Sequence, residues 1–360
     1  TYIYKAVKNM DKKQVPEKIL ALRKLMKKEE LDGFIVTDNL DQFYLGGFYF
    51  YPHEAVFLIT QTDVFCFTRA LYLHDVAARA PFMTTQADED RLNTAVAKAK
   101  ALNLRRVGFD AAKEGYASGK VLAQNGFTEC ASFISKLREV KDAQEIQIIR
   151  DACRIAYQAY EYVKPLIKTG MTELDVAAEL EKYMRTHGAT TTSFFTIVGF
   201  GPDTANPHHV TGARKLEAED AILMDFGCVY NGYCSDITRS WWHGSNEPAE
   251  YKTIWHAVDE ARKAGIQAIR PGVATRAVDN AARVIINAAG YGEYFNHGTG
   301  HGMGMENHET PYNSQESNEV LAEGNIVTVE PGIYLPGKYG VRLEDSLCVA
   351  STGGEILTKK

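Results

Sequence analysis

The stretch Ala221-Ile-Leu-Met-Asp225-Phe-Gly-Cys-Val-Tyr-Asn231-Gly232-Tyr-Cys-Ser-Asp236-Ile-Thr-Arg-Ser240 reads as two strand-like runs joined by an Asn-Gly pair. Asn-Gly tolerates the positive φ angles of a two-residue hairpin turn, so the pair sets the register. With Tyr230 opposite Tyr233, Gly227 falls opposite Asp236 and Thr238 opposite Asp225. The two-residue period of a strand then puts both aspartates on one face as diagonal neighbours. Two carboxylates on one buried face repel and lose hydration, so they require a cation, a shared proton or water. Taken alone, the segment reads as readily as a solvated acidic hairpin.

A second acidic pair follows near the end of the chain. Asn325-Ile-Val-Thr-Val-Glu330-Pro331-Gly332 is expected to be a strand stopped by a Pro-Gly turn, with Gly340-Val-Arg342-Leu-Glu344-Asp345-Ser346 as its returning partner. Each of these strands contributes one carboxylate to the candidate set, Glu330 and Glu344. Between the two hairpins lies Asn296-His297-Gly-Thr-Gly-His301-Gly-Met-Gly-Met-Glu-Asn-His308-Glu309, whose glycines let backbone approach a site closely. A lone histidine or a lone glycine-rich loop would read as structural, but the combination favours metal. One imidazole with Asp225, Asp236, Glu330 and Glu344 makes an oxygen-rich set that suits Mn2+ first, with Co2+ or Zn2+ as alternatives. Four negative charges also balance two divalent cations. Cys228 and Cys234 fall on opposite strand faces in this register, cannot form a joint clamp, and read as packing residues.

Around this centre, 360 residues exceed what one core usually organises, so two domains are expected. Pro16 opens a helix with an apolar stripe at Ile19, Leu22, Leu25 and Met26, ending before the strand Phe34 to Thr37. Strand-like runs at Ala55 to Thr60, Val64 to Thr68 and Val107 to Asp110 alternate with helical stretches near Leu71 to Ala80 and Arg91 to Leu102. Residues 1–140 therefore read as a small α/β domain. Asp142 and Glu145 form a capping-box pattern before a stripe at Ile146, Ile149, Cys153, Ala156 and Tyr160, which is expected to open a second domain over 141–360, although the same two residues would also suit a solvated loop. Within it, Gly170 and Gly188 bracket a helix as Gly272 and Gly290 bracket another at the same offset. Two related halves about a pseudo-twofold axis would explain the coincidence, and so would recurrent helix capping.

The formal charge of −6 gives no broad attraction to nucleic acid or anionic lipid. Six scattered cysteines without a C-x-x-C pair suit reduced thiols. The residues Thr1-Tyr-Ile-Tyr-Lys5 lack the apolar core of a leader, and the apolar runs are too short to span a bilayer. The expectation is a soluble, cytoplasmic protein with no nucleic-acid or membrane partner.

The motifs Asp225-Phe-Gly, Tyr233-Cys-Ser-Asp236-Ile-Thr-Arg239, His297-Gly-Thr-Gly-His301-Gly, Glu330-Pro-Gly-Ile-Tyr334 and Val341-Arg342-Leu-Glu344-Asp345 together resemble the pita-bread metallopeptidases, in the prolidase and aminopeptidase P branch. More loosely, Leu31 to Val36 and Phe43 to Phe48 resemble that branch's creatinase-like N-terminal domain, with Gly46 where related chains have threonine. The resemblance implies an α/β creatinase-like domain followed by an α+β pita-bread domain with pseudo-twofold halves. It implies two divalent ions held by Asp225, Asp236, His301, Glu330 and Glu344 across a bridging water. The activity implied is hydrolysis of the bond preceding proline by a metal-bridging hydroxide, as an Xaa-Pro dipeptidase or an Xaa-Pro aminopeptidase. Glu330 would take the nucleophile's proton. His208 and His308 would lie on the substrate side, with His209 an alternative to His208, and His297 and Arg342 would stand behind the ligands. The partners implied are a peptide with proline on the leaving side and a second copy of the chain in a homodimer. The nearest rivals are a methionine aminopeptidase-like enzyme, which Val341-Arg342-Leu-Glu344-Asp345 argues against, and a non-catalytic binding protein on the same fold, which would have lost ligands.

Overall fold

The computed structural model describes residues 15–359. Residues 1–5, read above for a leader, lie outside them. The chain divides into a compact unit ending at Arg138 and a second beginning at Glu139.

The first unit is built on a six-stranded sheet in the order Thr84–Ala87, Val64–Thr68, Ala55–Thr60, Gly33–Val36, Val107–Asp110 and Thr128–Cys130. Its three middle-to-left strands, Val64–Thr68, Ala55–Thr60 and Gly33–Val36, pair antiparallel, and the remaining neighbours pair in parallel. Ala55–Thr60 and Val64–Thr68 are buried along their whole length, which explains why they read as continuous apolar runs rather than alternating ones. Ile35, Val56, Leu58, Phe65 and Phe67 share one core with Ala95, Val96 and Ala99 of the helix Arg91–Ala101. The helix Glu17–Lys28 buries Ile19, Leu22 and Met26 of the expected stripe.

The second unit opens on the helix Ala143–Val163, whose capping box is formed as its sequence suggests. The Asp142 carboxylate accepts from the Gln144 and Glu145 amides, and Glu145 accepts from the Asp142 amide at 2.9 Å. A second helix, Glu173–Thr186, follows, and the same order recurs as Ala249–Ala268 and Thr275–Ala288. The four bracketing glycines, 170, 188, 272 and 290, all have positive φ. Isolated bridges Thr172↔Lys215 and Ala274↔Val320 open the shorter helices in the same way. Each helix pair is followed by an antiparallel sheet holding one of the two acidic hairpins.

Strand alternation aims the carboxylates. Ile222, Met224, Phe226 and Ile237 pack into the core of the first helix pair, so Asp225 and Asp236 turn to the opposite face. In the second half Val327, Val329, Leu347 and Val349 share a core with Ile269 and Val278, and Glu330 and Glu344 are turned away by the same rule. Two apolar faces directed at helices thus leave two acidic faces directed at each other.

The first hairpin has the expected register, with Tyr230 opposite Tyr233 and Thr238 opposite Asp225. Its turn residues Asn231 and Gly232 have φ of 48° and 84°, as a turn matched to strand twist requires. The second hairpin departs from expectation. Pro331-Gly332 is not its turn: Val329 pairs with Asp345, Gly332 with Arg342 and Leu335 with Tyr339 in one continuous register. The chain reverses instead around Gly337, at φ 75°. Pro331 lacks an amide, but its carbonyl still accepts from the Leu343 amide at 3.4 Å, so the ladder passes through it.

Candidate metal centre

The ladders are interrupted where the acidic side chains sit. The Glu330 amide donates to the Thr299 carbonyl at 2.8 Å and the Glu344 amide to the Thr238 carbonyl at 3.1 Å. These bonds leave the parent hairpin and stitch it to the glycine-rich segment and to the first hairpin. His301 is carried by the short strand Gly300–Gly302. A Cβ on Gly300 would stand 2.0 Å from the Thr328 carbonyl oxygen, so only glycine allows His301 to be set this close to the strand bearing Glu330.

The five acidic and imidazole side chains singled out above converge. His301 Nε2 lies 3.2 Å from Glu330 Oε1 and 3.6 Å from Asp236 Oδ2. One ligand atom each of Asp236, His301 and Glu344 fall within 4.8 Å of one another. The Nδ1 proton of His301 is donated to the Gly302 carbonyl at 2.9 Å, which aims Nε2 at the carboxylates. Asp225 is held by Arg342, whose Nη2 is 2.6 Å from Oδ2. Glu344 Oε2 accepts from the Thr238 hydroxyl at 2.7 Å, and Asp236 Oδ2 from the Asn307 amide at 3.1 Å.

The remaining oxygens show what the cluster is suited to hold. Asp225 Oδ1, Asp236 Oδ1 and Glu344 Oε1 are buried and have no hydrogen-bond partner. An orphaned buried carboxylate oxygen is costly, and three around one imidazole fit a multivalent cation better than any protein donor. Burial raises the carboxyls of Asp225, Asp236 and Glu344, with neighbouring carboxylates adding to each. Burial alone would also raise Glu330, but the hydrogen bond and charge of His301 hold it down at about 2. His301 moves the other way: burial opposes its charge, yet Glu330 and Asp236 raise it to about 9.

Behind the cluster, Arg342 Nη1 donates to the Tyr334 hydroxyl at 2.9 Å, and that hydroxyl lies 2.9 Å from His297 Nε2. His297 Nδ1 donates to the Gly298 carbonyl at 2.7 Å, so Nε2 is the acceptor of the tyrosine proton. Burial pushes this imidazole down, in keeping with a neutral ring. Asp279 anchors the start of the loop by accepting from the Thr299 amide and hydroxyl and from Arg283.

In front lies a cavity of about 1010 Å3 lined by Asp225, Asp236, His301, Glu330, His297 and Arg342, with His208 and His308 on its wall. Glu344 sits beneath, 1% exposed. The His308 ring stands edge-on to His301 with centroids 4.1 Å apart. His208 is exposed, whereas His209 also borders the cavity but is tied down, its Nε2 lying 2.7 Å from Glu173 Oε2. Glu173 is fully buried and also accepts from the Phe200 and Gly212 amides. That leaves His208 as the imidazole free to meet a ligand. Sequence reasoning did not single out Thr238, Asn307, Tyr334 or Asp279 for these contacts, because their types are ordinary and their partners are remote in the chain.

A scaffold of duplicated helix pairs with an acidic, imidazole-bearing cluster at the junction of two hairpins is that of a metal-dependent hydrolase. The chain belongs to Metallopeptidase family M24, whose model matches residues 147–351, and a Creatinase/Prolidase N-terminal domain model matches residues 18–140. Its fold is thus a creatinase-like domain followed by a pita-bread domain. An uncharacterized peptidase of Bacillus subtilis is 34% identical over 95% of this chain and 97% of its own. The structure is similar to an Xaa-Pro dipeptidase from Bacillus anthracis, with TM-score 0.92, 35% identity and coverage of 96% of this chain and 98% of that one. It is also similar to an X-Pro aminopeptidase from Thermotoga maritima, with TM-score 0.86, 30% identity and coverage of 94% and 98%. Family membership implies divalent metal ions, which the orphaned carboxylate oxygens fit. Among the described residues, no helix is long and apolar enough to cross a membrane.

Proposed function

We propose that this chain hydrolyses the peptide bond preceding proline with a pair of divalent ions, Mn2+ in the first instance, held by Asp225, Asp236, His301, Glu330 and Glu344. The observation that carries the reading is the set of three buried, unpartnered carboxylate oxygens of Asp225, Asp236 and Glu344, two of whose residues line one cavity together with His301. Proline specificity is supported by the names of the two solved relatives and by the shared motifs. Divalent ions bound there would supply Lewis acidity, lowering the pKa of a water from about 15.7 toward 7.

The protein groups then divide the remaining work. Glu330, ionised and facing the cavity, accepts the proton of the attacking water and returns it to the departing ring nitrogen of proline. His208 and His308 donate to the oxygen that becomes negative on the scissile carbonyl. Arg342 and His297, linked through Tyr334, hold Asp225 and the loop in place. Catalysis is assigned to the domain over 141–360, with 1–140 as the accessory domain. We further take the working form to be a cytoplasmic homodimer, a reading supported by six reduced cysteines, five of them buried, and by the family resemblance.

The test is direct. Protein stripped with chelator and titrated with Mn2+ should bind close to two ions per chain and then release the first residue from Xaa-Pro peptides. A folded, metal-loaded sample inert toward every such peptide, but active on peptides lacking proline, would overturn the specificity.

A further inference from the structure

Resting on the Xaa-Pro reading, the lining of the cavity discriminates between substrates that end at the proline and substrates that continue past it. A dipeptide ends in a carboxylate attached to the proline ring, a few bonds from the scissile carbonyl. With the metal ligands charge-balanced by their ions, such a group is held best by a dedicated cation of its own, usually a bidentate arginine or a lysine. Among the described residues that line the cavity, Arg342 is the one arginine or lysine. Its three nitrogens are committed to Asp225, Tyr334 and Thr238, and its side chain is 3% exposed. The wall histidines His208 and His308, already assigned to the oxygen of the scissile carbonyl, lack the two-pronged fork that grips a carboxylate.

The mouth has the opposite character to a carboxylate site. Phe195 is 97% exposed, Val210 84% and Tyr312 41%, and all three border the cavity. Tyr312 lies on the strand Glu309–Asn313, and the Glu319 carboxylate accepts from its amide at 2.8 Å; burial, then repulsion from Glu319 first, raises its phenol. Glu181, which accepts from the Thr196 hydroxyl, adds another carboxylate to the lining. An apolar, acidic-flanked rim can contact the side chains and amides of a continuing peptide, and it repels a terminal carboxylate.

We infer that this chain acts on peptides extended beyond the proline, releasing the first residue of Xaa-Pro-Yaa chains, and that free Xaa-Pro dipeptides are poor substrates. The experiment uses the Mn2+-loaded full chain and three probes: Leu-Pro, its C-terminal amide, and the tetrapeptide Leu-Pro-Leu-Gly, with released leucine as the readout. The amide and the tetrapeptide should exceed the free acid in kcat/KM by about tenfold or more, the scale of one charge-assisted hydrogen bond. Because the amide matches the free acid in size and shape but lacks its negative charge, equal or faster turnover of the free acid overturns the inference while leaving the Xaa-Pro reading intact. Failure to cleave any of the three overturns that reading, and this inference with it. Tyr312→Arg, which places a cation at the acidic rim, should raise the free-acid to amide ratio, and a ratio unchanged in a folded variant would also count against it.

Discussion

Arg342 and Asp225 form a buried pair, Nη2 to Oδ2 at 2.6 Å, that leaves Asp225 Oδ1 without a protein donor. One oxygen of the carboxylate is thereby fixed and the other kept for a cation. Arg342→Met preserves much of the volume and removes the fork. We expect metal affinity to fall by about 10–100-fold, the usual effect of losing a group that orients a ligand, as read by competition with a chelating dye. Wild-type affinity would show that Asp225 is oriented by the strand alone.

Asp236 and His301 are expected to be indispensable. Asp236→Asn and His301→Ala should each lower metal stoichiometry and bring turnover to background, with far-UV dichroism unchanged. In Asp236→Asn the metal-stripped protein should also melt higher than wild type near about pH 8, since a buried carboxyl surrounded by like charges is replaced by a neutral isostere. Full activity in either variant would remove that residue from the ligand set.

The stability of metal-stripped protein should fall as pH rises. Asp225, Asp236 and Glu344 have raised pKa values in the fold, so above the unfolded carboxylate values near about 4 the folded chain binds more protons than the unfolded one. His301, raised to about 9, acts in the same direction above its unfolded value of about 6.5. Glu330, held at about 2, adds stability above its unfolded value near about 4.3 and loses it only in more acid solution. Melting temperature should therefore decline from about pH 5 to about pH 8.5, and Mn2+ should remove most of the decline while releasing protons on binding. Calorimetry in buffers of different ionisation heat measures the release, and a melting temperature that climbs across the interval would contradict the assignment.

His208 and His209 should separate cleanly. His209→Ala takes a partner from the fully buried Glu173 and should cost about 1–3 kcal/mol of stability, seen in denaturant unfolding. His208→Ala should leave the melting temperature near wild type and lower kcat/KM about a hundredfold, as removal of one oxyanion donor does. The reverse pattern would exchange their roles.

Much of this site could be read locally. The register of the first hairpin follows from Asn231-Gly232, because turn chemistry and a two-residue period involve only neighbours in the chain. The helix start at Ala143 was equally plain, its capping box lying within four residues. The four acidic positions stood out because they fall in two strand-like pairs on either side of a glycine-rich, histidine-bearing segment. The second turn was misplaced for a related reason: Pro331-Gly332 and Pro336-Gly337 look alike as dipeptides, and pairing of Leu335 with Tyr339 selects the later one.

Composition, strand period and turn residues therefore specify which side chains are acidic and which face of each hairpin they occupy, since these depend on covalent neighbours and backbone sterics. Bringing the two acidic faces together, committing Arg342 to Asp225, tying Thr238 to Glu344 and locking His209 onto Glu173 are matters of the folded chain. The partners in the first two contacts are more than a hundred residues apart, and those in the third 36. No local propensity encodes such contacts; they arise when helix packing buries one face of each sheet and leaves the carboxylates to meet in a low-dielectric junction.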